Sequence, residues 1–367
     1  MLPAFVIIPG IFFIAIIATA FAAIFNVGFK AHDCRILRDT ITSGLLADNR
    51  NQFDLPLDIH LDPHESRLMI CNGSEFSTTC QENGIYYPPL PSPNCVETLR
   101  PFINSVQDRR YPHTIYVVAL SDGTRQMELF HSCYDAETMT AYWSINTVHP
   151  PVSRSERPRA SFIRDGLISA RDAASFQQSN IYNRFEALLG PEQRYIASPQ
   201  TLSFDRGHLT PAADFPNAWA SQQTNRYQNV VPQYYRINRG NWRNVENWVR
   251  QQHDTLIVCT GALGVLELNN RNQVPTPIYL AEGRNPVPRW IYKIIYSVDS
   301  KKTTVILTSN NGWETERPNP EAFDRVVPCP PTLIRTEVGF TFCCDPTDFI
   351  KRNNPGCIQT NKIPIWR

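Results

Sequence analysis

The sequence predicts an α+β protein organised around a central, largely antiparallel sheet flanked by helices. Three observations predict it. Runs rich in β-branched and aromatic residues recur close together, with few helical stretches between them. Two of these runs flank the tetrapeptide DSKK in a hairpin pattern. The 30 prolines, spread through the chain, suit loops and sheet edges better than a helical bundle.

Taken in order, the elements begin with an apolar leader. Residues 2–29 carry no charged side chain, and Ile11 to Phe25 is almost wholly apolar, long enough to cross a bilayer as a helix. The same stretch reads equally as a long signal-peptide core, with Ala18, Ala20, Ala22 and Ala23 near a cleavage point. Lys30, Arg35 and Arg38 follow it and none precedes it, which the positive-inside rule places in the cytosol. Residues 30–110 form a cysteine- and proline-rich N-terminal region, read as weakly structured or β-rich. Its run Tyr86 to Cys95, YYPPLPSPNC, is expected as extended loop. A small domain stapled by Cys71, Cys80 and Cys95 and an insert packed on the main domain both fit this region.

From residue 111 a main domain is expected to run to the end at 367. Strands are predicted at Thr114 to Leu120, Thr140 to Val148, TLIVCTG at Thr255 to Gly261, Trp290 to Val298 and Thr303 to Ser309. A helix is predicted from Ala173 to Leu189, stopping at Gly190-Pro191. No internal repeat is present.

A net charge of +1 excludes a globally basic nucleic-acid scaffold, yet residues 201–250 hold six arginines against three acids. Such a local patch attracts phosphate. All ten cysteines follow the apolar leader and lack paired CxxC zinc spacing, so they read as up to five disulfides in an oxidising compartment. The sequon Asn72-Gly73-Ser74 agrees. Weighed against the charge rule, the cysteines place the folded part in a lumen or outside the cell, either cleaved from its leader or anchored by it.

Two clusters carry chemistry. Ser203 to Phe215, SFDRGHLTPAADF, sets Asp205, Arg206, Gly207 and His208 in consecutive positions. It joins an acid, a planar guanidinium suited to phosphate oxygens, a residue with no Cβ, and a base that is neutral near pH 7. The second cluster, Gln228 to Arg250, holds Asn229, Asn238 and Glu246 among Arg236, Arg239, Arg243 and Arg250. Trp242, Val245 and Val249 fall at i, i+3 and i+7, predicting an amphipathic helix from Asn238 to Val249 with those three turned inward. In a regular helix Asn238 and Glu246 lie ~12 Å apart along the axis, so Glu246 reaches a shared ion only through water. Each cluster alone also suits a plain surface turn or a solvated helix face.

Read jointly, the clusters resemble the DNA/RNA non-specific endonuclease family, the ββα-metal (His-Me finger) nucleases that include mitochondrial endonuclease G. The family's D-R-G-H motif stands at Asp205 to His208, its N-x-x-P-Q at Asn229 to Gln233, and its L-N-x-x-x-W-x-x-L-E at Ile237 to Glu246. Ile237 and Val245 stand where the family usually has leucine. The resemblance extends over about residues 111–350, and the cysteine-rich extension is similar to a secreted arthropod branch that includes double-stranded-RNA nucleases. It implies a metal-dependent endonuclease acting on DNA and RNA, with His208 as general base and Asn238 as metal ligand. It further implies that Glu246 reaches the metal through water and that Arg206 and Asn229 support the site. A phosphate-binding arginine before D-R-G-H is expected at Arg157 or Arg159, and Arg239 is a candidate to track the substrate backbone. Sparse oxygen ligation suits Mg²⁺, with Mn²⁺ as second choice, and does not suit zinc. Asp205 is expected to orient its loop, Trp242 to sit in the core, and His131 and His253 to be structural. Two rival readings remain: a catalytically silent nucleic-acid-binding protein on the same fold, and an anchored mitochondrial nuclease.

Overall fold

A computed structural model describes residues 34–36, 45–47, 53–54, 59–71, 74–89, 99–108, 112–121, 123, 126–149, 161–215, 218–319, 325–333 and 338–357. The chain divides into two compact units at Glu97/Thr98.

The first unit is β-rich. Its five-stranded antiparallel sheet runs in the order Phe53–Asp54, Leu45–Ala47, Ser66–Cys71, Ser74–Cys80, Tyr86–Tyr87, beside a separate pair of Cys34–Ile36 with Ile59–Leu61. Tyr86–Tyr87 pairs as a short edge strand where extended loop was expected. A disulfide joins Cys34 to Cys80, one of the three cysteines expected to staple this region; the Cys71 side chain is not among the described ones. Cys95, the sequon's Asn72 and Gly73, and the apolar leader at residues 2–29 lie outside the described residues. Among the described residues no helix is long and apolar enough to cross a membrane.

The second unit is built on one nine-stranded antiparallel sheet. Its strands are β1 (Arg100–Val106), β2 (Thr114–Ser121), β3 (Gln126–Asp135), β4 (Thr140–Val148), β7 (Leu256–Val265), β8 (Pro288–Ser297), β9 (Thr303–Ser309), β10 (Val326–Val327) and β11 (Thr341–Cys344). Two further strands, β5 (Phe204–His208) and β6 (Val230–Tyr234), form a separate ribbon. The large sheet has the order β10-β11-β9-β8-β7-β4-β3-β2-β1. Consecutive strands sit side by side except where β11 inserts between β9 and β10, while β7 meets β4 across more than a hundred residues that supply the site.

Both faces of the sheet are covered, which explains its nearly continuous apolar runs. In β8, Trp290, Tyr292 and Ile294 pack on one face with helix α3 (Pro346–Asn353), while Ile291 and Ile295 point to the other. That second face carries the larger core, formed with α1 (Gln178–Leu189), the β5–β6 ribbon and α2 (Arg243–Arg250). The segment expected as one helix from Ala173 opens as a helical turn at Ala170–Ala173, tightens through Ala174–Phe176, and continues as α1. It stops at Gly190, whose φ of 100° disfavours any residue with a Cβ.

Disulfides join Cys259 in the central strand β7 to Cys357, and Cys329 to Cys343. Cys133 and Cys344 are free thiols buried within the sheet, so these two take no part in the bridges, of which up to five were expected. Burial pushes the Cys133 thiol up to about 12.

Candidate active site

The site stands on the β5–β6 ribbon and the helical segment that follows it. The ribbon is antiparallel, with Asp205 opposite Gln233 and His208 opposite Val230. Gly207 lies between them for a steric reason: a Cβ there would come within 2.2 Å of Gln233 Oε1 and 2.5 Å of Gln233 Cβ. The strand cannot accept alanine here without displacing a buried side chain. After β6 the chain enters a short helical turn, Tyr235–Ile237, opens into a π turn at Asn238–Trp242, and resumes as α2. Gly240, at φ −109° and ψ −105°, breaks the regular helix assumed for the Asn238–Glu246 separation. The apolar stripe still holds: Trp242 and Val245 are wholly buried and Val249 nearly so.

His208 is half-buried, and its Nε2 lies 2.9 Å from Asn225 Oδ1. An amide oxygen only accepts, so Nε2 carries a proton, and in the neutral ring Nδ1 has the lone pair. The Phe162 ring packs against the imidazole at 5.5 Å between centroids. The backbone of that segment is pinned too, since Ile163 N–H donates to Asn225 O at 2.8 Å. Arg206 points into a cage of aromatic rings, its Cζ 5.0 Å from Phe162, 5.4 Å from Phe176 and 5.7 Å from Tyr227. Asn229 is fully buried. Its amide nitrogen donates to the carbonyls of Thr210 and Thr224 and its oxygen accepts from Thr210 N–H, so it clamps the loop after His208.

Asp205 orients the opposite side of the site. Its carboxylate takes a bidentate pair of hydrogen bonds from Arg239 at 2.8 and 2.9 Å and a third from Asn238 Nδ2 at 2.9 Å. With its nitrogen held, the Asn238 amide presents its oxygen in a fixed direction. One turn beyond Trp242, Glu246 lies 4.0 Å from Arg250, which donates to the buried Asp214 at 2.9 Å. Asn146 on β4 donates to the other Asp214 oxygen at 3.2 Å. Beneath this cluster, Lys293 of β8 is 1% exposed and donates to Thr260 Oγ1 at 2.6 Å. Burial pushes its pKa down, Asp214 and Glu246 push it back up, and Arg250 opposes them.

A His in a β-ribbon, followed by a helical segment bearing an oriented Asn and a Glu, is a ββα site. The family model for DNA/RNA non-specific endonuclease matches residues 111–349, which contain every element just described. The chain belongs to this family. Relatives of this endonuclease-family chain include a salivary endonuclease of Lutzomyia longipalpis, 30% identical over 61% of this chain and 57% of that protein. Mitochondrial endonuclease G of Bos taurus is 26% identical over 44% of this chain and 50% of its own length. Salivary protein Tsal2A of Glossina morsitans morsitans is 27% identical over 78% and 75%. The chain thus spans little more than half of the salivary endonuclease and half of endonuclease G.

Of the residues expected in this endonuclease-family site, the structure gathers Arg206, His208 and Asn229 on or beside the ribbon and Asn238, Arg239 and Glu246 on the helical segment. Arg157 and Arg159 lie outside the described residues. His131, expected to be structural, lies 2.9 Å from Glu128 Oε2 through its Nε2. Sequence reasoning missed Asn225, Phe162 and Asp214, which are ordinary residues whose importance comes from what they touch. Lys293 carried a signal: it is the single charge in the apolar run Trp290 to Val298.

No group of three or more His, Cys, Asp or Glu side chains that could hold a metal occurs among the described residues. The donors present, an oriented amide oxygen and a carboxylate, are hard oxygens and suit a largely hydrated divalent cation.

Proposed function

We propose that this protein is a secreted or luminal, divalent-metal-dependent endonuclease that hydrolyses phosphodiester bonds in DNA and RNA with little sequence preference. The observation that carries the reading is the tie from His208 Nε2 to Asn225, which leaves the Nδ1 lone pair as the base. In hydrolysis the oxygen of a water attacks phosphorus, its proton passes to His208 Nδ1, and one P–O ester bond breaks. Asn225 and Phe162 hold the imidazole in place. Asp205 holds the Asn238 amide, and Arg250 holds Glu246 on the same side. Asn238 Oδ1 and, through a water, Glu246 would hold a divalent metal such as Mg²⁺, which would supply Lewis-acid stabilisation of charge on the phosphoryl and leaving oxygens.

Arg206 contributes positive charge through the edge of its caged guanidinium, and exposed Arg239 adds to it. Such groups read phosphate and carry no base information, which supports action on both DNA and RNA. Three disulfides among the described residues and the salivary relatives support an oxidising, extracellular destination. The test is cleavage of plasmid DNA and duplex RNA by purified protein in Mg²⁺, in Mn²⁺ and in chelator. Cleavage of both substrates that stops in chelator is expected. Undiminished cleavage in chelator would remove the metal, and none under any condition would remove the enzyme.

A further inference from the structure

Lys293 occupies a place where stability alone gives no reason for a charge. Strand alternation turns Ile291, Lys293 and Ile295 to the same face of β8, and the two isoleucines enter the larger apolar core. Removing an ammonium from water is costly even after relaxation. A methionine of similar length would fill the same space without that cost.

What the ammonium touches gives it a purpose. It donates to Thr260 Oγ1 of β7, its cross-strand partner, at 2.6 Å. It lies 3.5 Å from the Leu209 carbonyl, on the residue directly after His208. It also sits 5.2 Å from the centroid of Trp242, the last residue of the π turn that begins at Asn238. One side chain therefore meets the sheet, the backbone behind the base, and the turn that carries the Asn238 amide.

We propose that Lys293 is a positioning residue of the cleavage site. By holding the Leu209 carbonyl and the Trp242 ring to Thr260, it sets the spacing between His208 and the Asn238–Glu246 side. The inference rests on the endonuclease reading above. Supporting contacts of this kind typically change activity by about 10–100-fold, because small displacements of reacting groups are costly.

The experiment compares wild type, Lys293→Met and Thr260→Val for kcat and KM on plasmid DNA, with melting temperature and near-ultraviolet dichroism of the aromatic core. In Lys293→Met, kcat per folded molecule is expected to fall about 10–100-fold with KM little changed. Thr260→Val, which removes only the acceptor hydroxyl, should lower kcat in the same direction by a smaller factor. A lower melting temperature with wild-type kcat per folded molecule would mark Lys293 as merely structural and overturn the proposal. If Lys293→Met does not fold, Thr260→Val decides, and wild-type kcat in that folded variant overturns it equally. A wild type that cleaves nothing overturns the endonuclease reading, whereas an active wild type matched by an equally active Lys293→Met overturns the role of Lys293 alone.

Discussion

Replacing Asp205 by asparagine tests how the site orients its amide. In the native structure the Asp205 carboxylate accepts three hydrogen bonds, two from Arg239 and one from Asn238 Nδ2. The substituted side chain keeps its shape but has one acceptor oxygen and no charge. The fork from Arg239 and the bond from Asn238 then compete for one atom, and the Asn238 amide is no longer held. Little stability rides on the ion pair itself. Arg239 is 57% exposed on its side chain, and such pairs contribute about 0–1 kcal/mol under solvent screening. Activity should fall far more, by about 10–100-fold, with tenfold equal to about 1.4 kcal/mol.

The decisive assay is a double-mutant cycle of Asp205→Asn with Asn238→Ala, read as initial rates of plasmid nicking across a Mg²⁺ titration. If Asp205 acts through Asn238, its substitution adds almost nothing in the Asn238→Ala background. Arg239→Ala serves as the control and should cost less than Asp205→Asn, since it leaves the Asn238 bond intact. Full additivity of Asp205→Asn and Asn238→Ala would refute the coupling. Wild-type Mg²⁺ dependence in Asp205→Asn would refute the orienting role altogether.

Three further outcomes are expected. Cys133 and Cys344 should resist a thiol reagent at pH 8 in native protein and both react in denaturant under non-reducing conditions, because burial raises both thiols and excludes the reagent; rapid native labelling of either would contradict this packing. Gly207→Ala should lower the melting temperature and the activity together, since the added methyl collides with buried Gln233, and a variant with native melting temperature and rate would show that the ribbon has room. Cys357→Ser should destabilise the second unit by about 2–4 kcal/mol, measured by denaturant unfolding, because it frees the C-terminal segment from strand β7.

Much of this arrangement was legible in the sequence. Strand runs such as Thr140 to Val148 and Thr303 to Ser309 declared themselves because β-branched and aromatic residues suit a pleated, buried surface. Trp242, Val245 and Val249 declared a buried stripe because helical periodicity is local. The π turn did not show, since its cause is a single glycine whose unusual dihedrals depend on how Asn238 and Trp242 are held at either side. Gly207 showed in the sequence only as a residue with no Cβ, and the need for it comes from the neighbouring Gln233. Asn225 was invisible because its role is a bond to a residue 17 positions away. Strand order was equally out of reach, because the β4–β7 pairing bridges the whole site-bearing insertion and no local pattern encodes it.

The central claim is that His208 is the base of a cleavage reaction. It is tested most directly by comparing wild type and His208→Ala for plasmid cleavage in Mg²⁺ and for filter binding of the same DNA at two salt concentrations. Loss of a general base typically lowers the rate by ~10²–10⁴-fold. Affinity should persist and fall with salt, because the arginines proposed to meet phosphate are untouched. A folded His208→Ala protein that cleaves at the wild-type rate would contradict the account.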